Sequence, residues 1–213
     1  MPGRLSVKPS PTRLFISATS SGNCYKVQLQ LALQRLRCPV AALDILADPP
    51  QTRSPEFLAL NPSGRVPLMQ LADGTNLAES NAILFYLAAG TSYLPRSPLT
   101  AAQVMQWMFF EQYSHEPNIA VLRYLYRWGD LEGQPKGTED RLRTRGAEAL
   151  KVMEQHLSEN AFFVTDRLTI ADVSLFAYTH VAPEAGFSLS GYPAIRAWIE
   201  RVKGTARFIP MAT

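Results

Sequence analysis

The chain has 213 residues, 46% of them hydrophobic, and a formal net charge of +3. That is ample apolar material for one or two packed domains. The 21 basic residues are scattered among 18 acidic ones, which gives no case for nucleic acid as a partner. No apolar stretch approaches the ~18 residues of a membrane span, and the N-terminus lacks the apolar centre of a signal peptide. Residues 1–11 are Pro-rich and polar and predict a frayed tail. Cys24 and Cys38 have no metal-site or CxxC spacing, so reduced thiols in a cytoplasmic protein are expected.

In chain order, residues 14–17 read as a short buried strand. Small polar residues then lead into a helix over about 23–34, where Cys24, Val27 and Leu31 recur at helical spacing. Pro39 ends that unit, and 40–46 gives a second strand. After a loop over 48–53, Ser54 caps a short helix at 55–60 with Pro55 in its first position. Asn61-Pro62-Ser63-Gly64 is a turn cluster, followed by a strand at 66–71, a hairpin turn around Asp73-Gly74 and a brief strand at Asn76-Leu77. A helix over 79–89 stops at Gly90. This βαβ unit plus hairpin predicts a four-stranded mixed sheet with helices on both faces, the thioredoxin-like α/β arrangement, over residues 12–90. Residues 91–99 read as a linker. Residues 100–213 carry only helical patterns, at about 101–128, 139–158, 170–185 and 194–203, and predict an all-α bundle. Pro117 predicts a kink or break near Glu116.

Two stretches point to a ligand. A Pro opening the strand at Val66-Pro67 leaves backbone groups in need of another partner. A cis bond there would turn the Val66 N–H and C=O toward an extended, peptide-like molecule. Downstream, Glu79-Ser80 opens an apolar helix, whose N-terminus favours a carboxylate. A bare turn Pro and an ordinary helix cap are the plain alternatives. Thr169-x-x-Asp172 reads as a capping box, hence structural. Cys24 shares the apolar stripe with Val27 and Leu31, which favours a buried packing role over a catalytic one. His115, His156 and His180 belong to no cluster with metal spacing.

From about Leu14 onward the chain resembles a cytosolic glutathione transferase. The residues that carry the resemblance are Ser20-Ser21-Gly22-Asn23, Arg65-Val66-Pro67, Glu79-Ser80-Asn81-Ala82-Ile83 and Leu168-Thr169-Ile170-Ala171-Asp172, in this order and at these spacings. The Ser-Gly-Asn start of the first helix is similar to the bacterial serine-type, nu- and theta-like branches. The resemblance implies a homodimer that binds glutathione as co-substrate, with no metal and no bound cofactor. It assigns the cysteinyl backbone of glutathione to Arg65-Val66-Pro67, the γ-glutamyl end to Glu79 and Ser80, and the glycyl carboxylate to Arg53. Ser21 has the six-residue spacing to Val27 of serine-type relatives. It is the implied thiol-activating residue, with Asn23 assisting and Ser20 as the neighbour that a shift in the loop would put in its place. The implied activity is detoxifying transfer of glutathione to small hydrophobic electrophiles. Glutathione-dependent disulfide or peroxide reduction, or binding without catalysis, are the alternatives. Some of Trp107, Phe109, Phe110, Tyr113, His115 and Tyr124 are expected to wall the acceptor cleft.

Overall fold

The computed structural model describes residues 10–212. Strands β1 (Pro11–Ser17), β2 (Val40–Leu43), β3 (Leu68–Leu71) and β4 (Asn76–Ala78) form one sheet in the order β2-β1-β3-β4. β1 and β2 run parallel; β3 is antiparallel to both β1 and β4. Side chains alternate across β1, as the pleat requires. Leu14 joins Val27, Leu31, Met69, Ile83 and Leu87 beneath helices α1 (Gly22–Leu33) and α3 (Ser80–Ala88). Phe15 turns the other way, onto Phe57 of α2 (Pro55–Leu60) and Leu68. This is the expected thioredoxin-like layer. The frayed-tail expectation falls mostly on residues 1–9, outside the described residues, and Pro11 already belongs to β1.

The second half is all helix: α4 (Pro98–Phe110), α5 (Glu116–Arg127), α6 (Thr138–Glu159), α7 (Ile170–Thr179) and α8 (Pro193–Lys203). The break expected near Glu116 is present as a change of helix: α5 starts at Glu116 with Pro117 in its first turn. The missing N–H of Pro117 falls where no intrahelical partner is needed, and the preceding residues Glu111–His115 widen into one π-helical turn. Several boundaries differ from the sequence reading: β1 begins at Pro11 rather than 14, and β2 ends at Leu43 rather than 46. α4 begins at Pro98, because Pro is well placed at the first helical position. β3 begins only at Leu68, the first residue paired across the sheet. α7 ends at Thr179, and a separate 3₁₀ turn, Ala182–Ala185, follows.

Helix α1 serves both halves. Val27 and Leu31 pack on the sheet, while Tyr25, Leu29 and Leu33 enter the large core of the helical half with Phe176, Trp198 and Met108. The Thr169–Asp172 capping box starts α7 as expected. Asp172 also accepts from Phe163 N and Trp198 Nε1, which ties α8 to the same carboxylate.

Candidate functional site

Two cavities meet at the N-terminal end of α1. The first is polar, about 90 Å³, and is lined by Asn23, Asn61, Arg65, Val66, Pro67, Glu79, Ser80, Gln112 and Glu116. The second is about 260 Å³ and mainly apolar. Ile45, Ala120, Val121, Tyr124, Trp128 and Tyr178 wall it, and Thr19, Ser20, Ser21, Glu116 and Arg123 supply its polar rim. Glu116 lines both.

Local chemistry sets the polar cavity. The turn before β3 is folded by Asn61, whose Nδ2 donates to Arg65 O at 2.8 Å and whose Oδ1 accepts from Ser63. The Val66–Pro67 bond is cis. Glu79 sits just ahead of α3 at φ 69°, a backbone conformation that costs a non-glycine residue about 1–3 kcal/mol. Ser80 is buried, and its hydroxyl donates to Asn23 Oδ1 at 3.2 Å.

Asn23 is the hub. Its Oδ1 also accepts from Lys26 Nζ at 2.9 Å, and an ammonium can only donate. The amide orientation is thereby fixed, and Nδ2 donates to Glu116 Oε1 at 3.1 Å. Burial raises the pKa of Glu116; Lys26 pulls it down and Glu111 adds to the rise. Ser21 caps α1 by accepting from Cys24 N at 3.3 Å, and its hydroxyl also lies within hydrogen-bonding reach of the Cys24 thiol. Ser20 is gripped by Arg123, whose guanidinium donates to its carbonyl at 2.7 Å and its hydroxyl at 2.9 Å. Gly22 lets this turn lie against Tyr178: a Cβ there would stand 2.6 Å from the ring, whose hydroxyl accepts from Asn23 N.

Family models match most of the chain: Glutathione S-transferase, N-terminal domain, over residues 20–89, and Glutathione S-transferase, C-terminal domain, over residues 104–204. A maleylacetoacetate isomerase of Pseudomonas aeruginosa is 31% identical over 83% of this chain and 84% of its own. The crystal structure of a glutathione S-transferase from Pseudomonas fluorescens superposes with a TM-score of 0.88 at 46% identity, covering 94% of this chain and 98% of that one. A possible glutathione S-transferase from Rhodopseudomonas palustris gives 0.86 at 46% identity, over 94% and 92%. The chain belongs to the glutathione S-transferase family. Its thioredoxin-like α/β half and all-helical half are the two parts of that family's fold.

Of the residues singled out in this family member by sequence, Asn23, Arg65, Val66, Pro67, Glu79 and Ser80 line the polar cavity, and Ser20 and Ser21 the apolar one. Arg53 lines neither; it is exposed and donates to Ser63 O at 3.3 Å. Among the aromatic candidates only Tyr124 walls the apolar cavity. Trp107 packs on Phe110, His156 and Phe163, and Phe109 and Tyr113 face outward. His115 is buried, with Nε2 against Thr179 Oγ1 at 2.9 Å. Sequence reasoning missed Glu116, Arg123, Trp128 and Tyr178. The first had one signal: it precedes Pro117, where a helix must start anew.

Proposed function

We propose that this chain binds glutathione in the polar cavity, activates its thiol at the N-terminus of α1, and transfers it to small hydrophobic electrophiles held in the apolar cavity. The observation that carries the reading is the junction of the two cavities at Glu116 and α1. A γ-glutamyl carboxylate at Ser80 meets an amide-rich helix N-terminus. A peptide along Val66 then brings its sulfur toward Ser21, beside an apolar wall. The positive end of α1 favours a thiolate there. No covalent enzyme intermediate is needed, because holding thiolate and acceptor together supplies the rate. The Ser20-Ser21-Gly22-Asn23 start supports the serine-type branch.

By the same reading the chain works as a cytoplasmic homodimer, with a glutathione-binding domain at 12–90, a linker at 91–99 and a helical domain at 100–213. Exposed Phe85, Leu99, Phe109 and Tyr113 support an apolar contact between subunits. The deciding experiment measures conjugation of glutathione to a halonitrobenzene by purified protein. Turnover no faster than the uncatalysed reaction, with glutathione bound, would sink the catalytic reading.

Ser80→Ala and Glu79→Ala should each weaken glutathione binding by about 1–3 kcal/mol, the worth of a charge-assisted hydrogen bond. Isothermal titration checks this, and unchanged affinity in both variants would remove the anchor. Cys24→Ala should keep most activity. The thiol is 2% exposed, and burial raises its pKa, so it presents no thiolate to the cavities. A loss beyond about tenfold in a variant of intact stability would instead make Cys24 part of the chemistry.

A further inference from the structure

A third cavity, about 210 Å³, adjoins the acceptor cavity and shares Ser20 and Arg123 with it. Its far walls hold Arg127, His180, Glu184 and Lys203 among apolar side chains such as Phe208 and Met211. The charges do not balance. Arg123 Nε and Arg127 bond the same oxygen of Glu184, at 2.8 and 2.5 Å. Burial opposes the charge of Glu184, but the two arginines hold its pKa below the ordinary range, so that carboxylate is ionised and already shared. Lys203 is paired outward with Glu200. Burial, aided by Lys203 and Arg123, depresses the pKa of His180, so the ring adds no cation at neutral pH. Two guanidiniums against one carboxylate leave one positive charge.

Arg123 is the buried member, with a side chain 3% exposed. Its three bonds to Glu184 and Ser20 use three of the five guanidinium N–H groups, which leaves two among the described residues. The Trp128 ring lies 5.2 Å from its guanidinium carbon and 4.8 Å from that of Arg127, which holds both cations beside the acceptor cavity. A buried cation with surplus donors is costly unless an anion completes its pairing. The acceptor cavity is therefore polarised, with acidic Glu116 on the glutathione side and Arg123 on the side of the third cavity.

We propose that Arg123, backed by Arg127, forms an anion subsite of the acceptor cavity, so that the preferred electrophiles carry a carboxylate on the end remote from the reacting carbon. The inference rests on the conjugation reading above and names its substrate class. Attraction by Arg123 then orients such an acceptor with its electrophilic carbon toward the sulfur.

The test compares 4-chloro-3-nitrobenzoate with the neutral 4-chloro-3-nitrobenzamide, each kcat/KM divided by its own uncatalysed rate constant with glutathione. The wild type should prefer the carboxylate by about tenfold or more, and Arg123→Gln should abolish that preference. Arg123 also holds Ser20, so the variant can slow both acceptors; only the ratio reads the subsite. Arg127→Gln, which leaves the Ser20 grip intact, should lower the ratio as well. A ratio near one in the wild type, or one unchanged in both variants, overturns the proposal. Isothermal titration of the two acceptors into protein saturated with S-methylglutathione separates this failure from failure of the conjugation reading. Charge-selective binding lost in Arg123→Gln upholds the subsite even without turnover. Equal binding of the two, or binding of neither, overturns it.

Discussion

Ser21→Ala should raise the pKa of glutathione bound in the polar cavity and cut turnover by about a hundredfold, the usual loss for one donor aimed at a reacting anion. Affinity should change far less, because Val66, Glu79 and Ser80 anchor the rest of the tripeptide in the proposed pose. The argument runs from geometry to protonation. Ser21 Oγ accepts from Cys24 N, which holds the hydroxyl at the start of α1, and a bound thiolate would compete with the Cys24 sulfur for its proton. Ser20 Oγ is occupied on its acceptor side by Arg123, and Asn23 is spanned between Lys26, Ser80 and Glu116. Ser21 is also the cap of α1, and losing a cap costs about 1 kcal/mol of stability. Ser21→Thr keeps both cap and donor and should restore most turnover, which a purely structural fault would not require. Thiolate absorbance titrated against pH in the binary complex decides it, for Ser20→Ala, Ser21→Ala, Ser21→Thr and Asn23→Ala. If Ser21→Ala leaves that pKa unmoved while a neighbour shifts it, the role passes to the neighbour.

The fold was legible because its signals are local and repeated. Ser54-Pro55, Asp73-Gly74 and Thr169-x-x-Asp172 each write a cap or a turn into adjacent residues, and each forms where expected. The polar cavity was legible for the same reason: Val66-Pro67 and Glu79-Ser80 sit at element starts, and both reach it. The apolar cavity was not. Trp128 and Tyr178 are spaced 50 residues apart and meet only through helix packing. Arg123 looks like any charged residue on an amphipathic helix until α5 is packed against the loop after β1. Trp107 and Phe110, named with Tyr124 from the sequence, sit on α4 and pack against the helical core instead. Lys26 was invisible for the opposite reason. A lysine inside an apolar stripe reads as solvated, and only the widened turn at Glu111–His115 supplies its buried partner.

That pair gives the largest expected effect on stability. Lys26 and Glu111 have side chains 0% exposed, with Nζ and Oε1 2.8 Å apart, and they link α1 to the helical half. Removing one partner strands a charge in the core, so Lys26→Met or Glu111→Gln should cost about 3–5 kcal/mol. The double variant should recover part of this, but not all. Asn23 Oδ1 loses the ammonium that orients it, and Asn81 Nδ2 and Gln112 Nε2 lose the carboxylate they donate to. Burial works against the charge of Glu111, yet Lys26, with His115 and the local hydrogen bonds, holds its pKa below the ordinary value. A depressed folded-state pKa places this stabilisation above the unfolded pKa and removes it as pH falls through the folded one. His115 acts in the same direction at higher pH. Burial lowers its pKa from 6.5 to about 4, so the unfolded chain binds that proton first, and stability falls as pH drops through this window. Urea unfolding from pH 8 down to pH 3 should therefore show a decline beginning near pH 6.5 and steepening at the acid end. His115→Gln should shrink the upper part of the decline, to which His180 also contributes, and Glu111→Gln the lower part, to which Glu184 also contributes. Additive losses in the Lys26–Glu111 cycle would mean that the two charges do not support each other.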